Sequence, residues 1–321
     1  MSVEFTHVPS GNSYPWQYLS SGRDARALRP VLESVFGTIV IDGPAGILTN
    51  MDIAAEAART TSIPGIALTH WSGVIDPVVA SRQIAALDRL ADGRLSLRFL
   101  FGPDGHAGEE AEQIDHAEAL RQTDEYLVLL KRLWSNDLPF DHEGPNYSVS
   151  DGFVERKGPQ GADIPIRMGG VSGIALDVAG RHATVFELMP GTVEEIRDLM
   201  RRVETAAARY GRSGKIRFAL PVLFTPAGQA GHPTPSGAVA VSGPPARVAQ
   251  TLLGYAALGI CEFMVSGLDD ESAISMFSRD VASLFQRTVP ILAARRDAGY
   301  ASAREQSGIG GSRGRVFPPS H

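Results

Sequence analysis

Short β-branched or apolar runs alternate along this chain with longer segments in which apolar residues recur at helical spacing. Strands are predicted at Val3 to Val8, Thr38 to Ile41, Pro64 to Leu68, Leu95 to Phe101, Ile164 to Met168, Ala183 to Met189, Ile216 to Phe224 and Cys261 to Val265. Helices are predicted after each of them, at Asp24 to Phe36, Asn50 to Thr60, Pro77 to Ala91, Asp115 to Trp134, Ser172 to Gly180, Thr192 to Tyr210, Pro244 to Leu258 and Asp270 to Phe285. Asn50 and Asp76 are the expected N-caps, because a side-chain oxygen there accepts from an orphan amide of the first turn. Pro77, at the next position, suits a helix start.

An even strand-helix alternation with no break in composition favours a closed (β/α)8 TIM barrel over an open doubly wound sheet. The expected organisation is one barrel domain over residues 1–288 with a C-terminal extension over 289–321. Two stretches interrupt the rhythm before that tail, a loop from Pro139 to Ala162 and a Gly-, Pro-, Ala- and Ser-rich segment from Pro226 to Pro245. The second reads as a mobile insertion after the seventh strand, either a lid or a disordered connection. The tail from Ser307 has too little apolar surface to offset its ordering entropy, so it frays or docks on a partner subunit.

Composition narrows the partners. The 321 residues are 43% hydrophobic and carry a net charge of -6, enough for a large core but no basic face for nucleic acid or an anionic membrane. Cys261 is the only cysteine, which excludes an intrachain disulfide and a cysteine-based zinc site. No apolar run approaches the roughly 20 residues needed to span a bilayer, and the N-terminus shows no export signal, so a cytoplasmic location is expected.

In a barrel of this kind the residues just past each strand line one mouth. Here they include His7, Asp42, His70, Trp71, Phe101, Gly169, Gly170 and Ser266. Met168-Gly-Gly-Val-Ser172-Gly hands a strand to a helix, and is either a tight turn with a serine cap or a phosphate cradle of backbone amides. His116 opens the longest helix, as a ligand to a phosphate or as a solvated cap neighbour. His70 and Trp71 form either a stacking wall with a proton donor or a packed aromatic with a satisfied imidazole. Asp104, His106, Glu109, Glu110, Glu112 and Asp115 match no metal-ligand spacing and read as a solvated loop, so no metal is expected.

Several stretches carry a family resemblance: Ser81 to Arg94, Thr123-Asp-Glu-Tyr-Leu, Leu133-Trp-Ser, Phe140 to Tyr147, Pro165 to Ser172, Ala179-Gly-Arg-His-Ala183 and Gly259 to Gly267. Together they resemble the bacterial luciferase-like flavin monooxygenases, and within them the alkanesulfonate monooxygenase branch. The resemblance implies a homodimer or tetramer that takes reduced FMN from a separate NAD(P)H-dependent flavin reductase and uses it with O2 to oxidise a small organic substrate. It implies that Gly169, Gly170 and Ser172 hold the FMN phosphate and that His116 and Tyr147 line the phosphate and ribityl region.

The departures from the family pattern cluster at the mouth. Arg98 and Phe101 stand where the pattern has an Asn and a Thr, Leu120 and Gln122 where it has a Tyr and an Arg, and Leu48 at the active-site Cys of the alkanesulfonate enzymes. Pro221 and Leu223 replace an Arg and a His on the seventh strand. The substrate pocket is therefore expected to comprise Leu48, Trp71, Arg98, Phe101, Pro221 and Leu223, and to suit a substrate more apolar than an alkanesulfonate. Arg98 either binds an anionic group or pairs with a barrel acid. His70 and His7, placed by strand-end position and chemistry, are the proton-transfer candidates. Deazaflavin-dependent hydride transfer and a flavin-binding barrel without redox chemistry are the alternative functions.

Overall fold

The computed structural model describes residues 3–9, 23–43, 47–99, 116–226, 237–268 and 270–289, without the side chains of 23–28, 47–48 and 116. Among these residues the strands are β1 (Glu4–His7), β2 (Phe36–Ile41), β3 (Gly65–Thr69), β4 (Leu95–Phe99), β5 (Phe140–Glu143), β6 (Ser148–Gly152), β7 (Ile166–Gly169), β8 (Val185–Glu187), β9 (Arg217–Thr225), β10 (Val239–Ser242) and β11 (Glu262–Ser266). Eight of them run parallel in the order β1-β2-β3-β4-β7-β8-β9-β11, and β11 returns to β1. The ring is closed, so it is the (β/α)8 barrel that the alternation predicts.

The helices are α1 (Arg23–Val35), α2 (Ile47–Thr60), α3 (Pro77–Leu90), α4 (His116–Ser135), α5 (Gly173–His182), α6 (Val193–Arg209), α7 (Pro245–Ala256) and α8 (Glu271–Met276), the last continuing through a wider π turn at Phe277–Ala282. Asp76 caps α3 as expected, accepting from the Val78 and Val79 amides at 2.9 and 3.1 Å. Asn50 does not cap α2. That helix begins at Ile47, and Asn50 Oδ1 instead accepts from the Gly43 amide at 2.8 Å, tying the loop after β2 to the helix.

Period-two alternation sorts the strand residues into two layers. On β4, Leu95, Leu97 and Phe99 join the main core between barrel and helices, whereas Arg98 faces the axis, where its charged partners lie. The outer layer is aliphatic and aromatic, and holds Phe5 edge-on to Phe277 with ring centroids 5.3 Å apart. Each such buried ring contributes roughly 1.5–3 kcal/mol. The axis is built differently: its apolar cluster is Val40, Ala67, Val185, Ala219 and Met264, mostly small residues that leave room for charged side chains.

Two elements lie where the sequence pattern predicts only loop. Within residues 139–162, β5 and β6 pair antiparallel as a hairpin beside α4. Beyond β9, β10 pairs in parallel with its outer half, from Val239 opposite Val222 to Ser242 opposite Thr225. The three-residue β8 covers only the inner half of β9, so β10 takes the hydrogen-bonding edge that β8 leaves. The rest of the expected insertion, residues 227–236, and the tail beyond 289 lie outside the described residues.

Candidate active site at the barrel mouth

One turn of α4 fixes much of the site. Successive helical residues point about 100° apart, so Thr123, Asp124, Glu125 and Tyr126 reach four different neighbours. Thr123 Oγ1 meets Ser72 Oγ in the loop after β3 at 2.6 Å, and Asp124 receives His182 at 2.8 Å and Arg181 at 2.7 Å from the end of α5. The Tyr126 hydroxyl lies 2.8 Å from His70 Nε2. Glu125 accepts from His142 Nε2, Asn146 N and Asn146 Nδ2, each at 2.9 Å, and from Tyr147 N at 3.3 Å. Burial pushes the Glu125 carboxyl up, but these donors outweigh it and hold the group below the usual carboxylate range.

The Glu125 clamp sets the tip of the hairpin. Gly144 is needed there, because a Cβ would collide with Glu125 Oε1. Tyr147 is thereby held with its ring 5.6 Å from that of Tyr126. Its hydroxyl is buried, facing the Gly73 backbone and the Gln122 amide without hydrogen-bond geometry to either. Burial, followed by the nearby Glu125 charge, pushes this phenol up to about 12.

Across from the hairpin stands the β7–α5 turn. Gly170 has φ +110°, in the region that favours glycine, and a Cβ there would lie 2.9 Å from the Ala175 Cβ. Ser172 caps α5, its Oγ accepting from the Ala175 amide at 3.2 Å, and it is exposed. Gly173 has open space where a side chain would stand. Gly173 and Ile174 share a cleft of about 1050 Å³ with Pro145 and Asn146 of the hairpin and with Glu118 and Arg121 of α4. The hairpin, the start of α5 and the first turns of α4 thus meet around this cleft, but of the expected cofactor residues with described side chains, Tyr147, Gly169, Gly170 and Ser172, none lines it. His116 opens α4, but its side chain lies outside the described residues.

On the barrel axis Arg98 is an ion-pair residue. It turns Nε and Nη2 to Glu187 at 2.9 Å and Nη1 to Asp42 at 2.8 Å. Glu187 also receives Arg167 Nε at 3.2 Å, and Arg167 donates to Glu262 at 2.6 and 3.2 Å. Thr6 closes the row with a 2.5 Å bond to Glu262. Burial pushes the Glu262 carboxyl up, yet Arg167 and Thr6 hold it below the ordinary range.

The remaining expected pocket residues are distributed unevenly. Pro221 and Leu223 lie on the inward face of β9, in alternation with Ala219, Pro221 half-buried and Leu223 buried. Trp71 is half-buried, with its indole N–H enclosed and without a partner. The Leu48 side chain and all of Phe101 lie outside the described residues.

His70 is buried between Tyr126 and Phe99, with no partner on Nδ1. Burial lowers its pKa to about 4. His7 is placed in the same way: Thr6 beside it faces the axis, as Thr69 beside His70 does, and both rings face the helix layer, where His7 meets the Phe36 ring at 5.4 Å. Burial lowers it to about 4 as well.

Sequence reading passed over Glu187, Arg167 and Glu262. Their signal was a charge on an otherwise apolar strand, since a buried charge must face a partner. Glu125 and Tyr126 lie in the Thr123-Asp-Glu-Tyr-Leu stretch, where helical spacing alone does not show which neighbour each side chain meets.

Comparisons with known proteins bear on the family and the fold. The family described as luciferase-like monooxygenase matches residues 51–231, more than half of the chain. Sulfoquinovose monooxygenase of Agrobacterium fabrum is 29% identical over 144 residues, a match spanning 44% of this chain and only 36% of that relative. Among solved structures, a long-chain alkane monooxygenase superposes with TM-score 0.72 at 14% identity, over 89% of this chain and 92% of the other. The coenzyme F420-dependent tetrahydromethanopterin reductase of Methanopyrus kandleri gives 0.70 at 17% identity, over 89% and 100%. EDTA monooxygenase of a Chelativorans species gives 0.69 at 14%, over 89% and 94%. At such identities the structures speak for the fold alone, whereas the family match covers most of the barrel: the chain belongs to the luciferase-like monooxygenase family.

Proposed function

We propose that this protein is a two-component monooxygenase that takes reduced FMN from a separate NAD(P)H-dependent reductase and, with O2, oxidises a small organic substrate. The observation that carries the reading is the β7–α5 turn, where Gly170 opens the backbone, Ser172 caps the helix through the Ala175 amide, and Ser172 and Gly173 are exposed. Orphan amides and the helix dipole favour an anion at such a place. Bound reduced FMN would supply the two electrons that activate O2.

The chain's own groups divide the remaining work. Gly169, Gly170, Ser172 and His116 hold the phosphate, and Tyr147, set by Glu125, lines the adjoining region. His70 is neutral at pH 7 and shares one proton with Tyr126, so its free Nδ1 accepts or donates according to tautomer. His7, packed on Phe36, serves the fold. Arg98 has its charge committed to Glu187 and Asp42, which disfavours a sulfonate and leaves Trp71, Pro221 and Leu223 as the walls; Leu48 and Phe101 complete the proposed pocket. Deazaflavin-dependent hydride transfer is the second reading, favoured by the fold shared with the reductase above.

Anaerobic titration of the full chain, followed by tryptophan fluorescence, separates the readings. Reduced FMN should bind at least about tenfold tighter than riboflavin, which lacks the phosphate, and tighter than the deazaflavin coenzyme. Absence of reduced FMN binding, or preference for the deazaflavin, overturns the first reading.

A further inference from the structure

Along the barrel axis Asp42, Arg98, Glu187, Arg167 and Glu262 alternate in sign, so the row ends in an acid on either side and holds one surplus negative charge. The inner end is compensated, because Glu262 takes two bonds from Arg167 and one from Thr6, with the Arg217 guanidinium nearby. The outer end is not. Among the described residues Asp42 has Arg98 as its one partner, through Oδ2, and its side chain is 34% exposed where β2 opens to the mouth. Arg98 is only 11% exposed and is engaged on three of its nitrogens. The surplus charge therefore rests on Asp42, at the floor of the mouth.

A partly exposed carboxylate at the mouth end of the row attracts a cation and raises the cost of seating an anion. We propose that the mouth selects amphipathic substrates carrying a protonated amine, that Asp42 receives the ammonium group, and that carboxylates and sulfonates are rejected. This rests on the mouth being the oxidation site of the function proposed above. The ammonium supplies a donor to Asp42 Oδ1 without displacing Arg98. An anion that recruited Arg98 would take it from both Glu187 and Asp42, leaving the buried Glu187 with Arg167 alone.

The test is calorimetric titration of the full chain with decylammonium, decanoate and decanesulfonate, with and without reduced FMN. Salt is set at about 0.01 M and about 1 M, between which the screening length falls from roughly 30 to 3 Å. At low salt decylammonium should bind at least about tenfold tighter than decanesulfonate, and the gap should narrow at high salt. Asp42→Asn, which keeps an oxygen for Arg98, should bring the two within about threefold. Equal or tighter sulfonate binding, no decylammonium binding, a gap indifferent to salt, or a gap retained in Asp42→Asn overturns the proposal. The salt series needs only the unmodified protein, so it decides the matter even if the variant does not fold. If reduced FMN fails to bind while the ammonium preference holds, the functional reading falls alone; if flavin binds and the preference is absent, the substrate inference falls alone.

Discussion

The two sides of this barrel mouth handle charge in opposite ways. At the rim, the β7–α5 turn leaves space around the helix start: Gly170 withholds a side chain, Gly173 has empty space beside it, and Ser172 is exposed. On the axis nearly every charge is answered, with Arg98 and Arg167 each shared between two acids. On the function proposed above, the rim would receive an anion and the axis would keep one out. The difference teaches how one barrel mouth can treat charge in two ways, with a glycine-opened helix start at the rim and a self-satisfied ionic row on the axis.

The largest test of this contrast is to break the row. Arg167→Met leaves Glu187 with one partner fewer and Glu262 without its guanidinium, both buried, and should cost about 3–5 kcal/mol in urea unfolding. Reduced FMN affinity of the fraction that folds should change little, because the rim is a separate structure. A loss under about 1 kcal/mol would mean that the row contributes little to the fold.

The pH dependence comes next. His7 and His70 both have folded pKa values of about 4 against an ordinary value near 6.5, so the folded state binds fewer protons than the unfolded one. Their contribution is fully present above the unfolded value and is lost as pH falls through the folded one. Stability should therefore drop between pH 6.5 and 4, by about 3 kcal/mol for each histidine. His70→Gln should remove roughly half of that drop. A flat stability profile across this window would show that neither ring is held neutral by burial.

How far these regions could be read beforehand follows from how local their signals are. The eight strand-helix units were legible because each writes its own apolar period, as Leu95, Leu97 and Phe99 do on β4. The hairpin was not, since Phe140-Asp-His-Glu and Ser-Val-Ser-Asp-Gly are polar and largely exposed, and their pairing is held by Glu125 from a helix earlier in the chain. The rim turn was legible as two glycines and a capping serine within five residues. The ionic row joins residues up to 95 positions apart, so sequence left Arg98 open between an anion receptor and an internal pair. His7 and His70 looked equivalent as strand-end histidines, and the structure buries both in the helix layer, His7 on Phe36 and His70 between Phe99 and Tyr126.

Returning to the rim, Gly170→Ala forces an alanine into φ +110° and sets its Cβ against Ala175. It should cost about 1–3 kcal/mol in stability. It should also weaken reduced FMN more than riboflavin, as the turn shifts away from the phosphate. Equal weakening of both ligands would place the phosphate elsewhere.

The smallest effect on stability discriminates most sharply. Ser172→Ala removes the cap bond to the Ala175 amide and should cost about 1 kcal/mol. That loss alone does not separate capping from phosphate binding, so the informative variant is Ser172→Asp. An aspartate caps a helix as well as serine and suits the positive end of its dipole, so the urea midpoint should stay at the wild-type value or rise. The same carboxylate repels a phosphate, and reduced FMN affinity should fall by at least about tenfold while riboflavin affinity stays level. Ser172→Asn, a good cap without the charge, should leave both ligands close to wild type. If Ser172→Asp binds reduced FMN unchanged, the open amides of α5 face solvent only, and the contrast between an anion-seeking rim and an anion-refusing axis loses its first half.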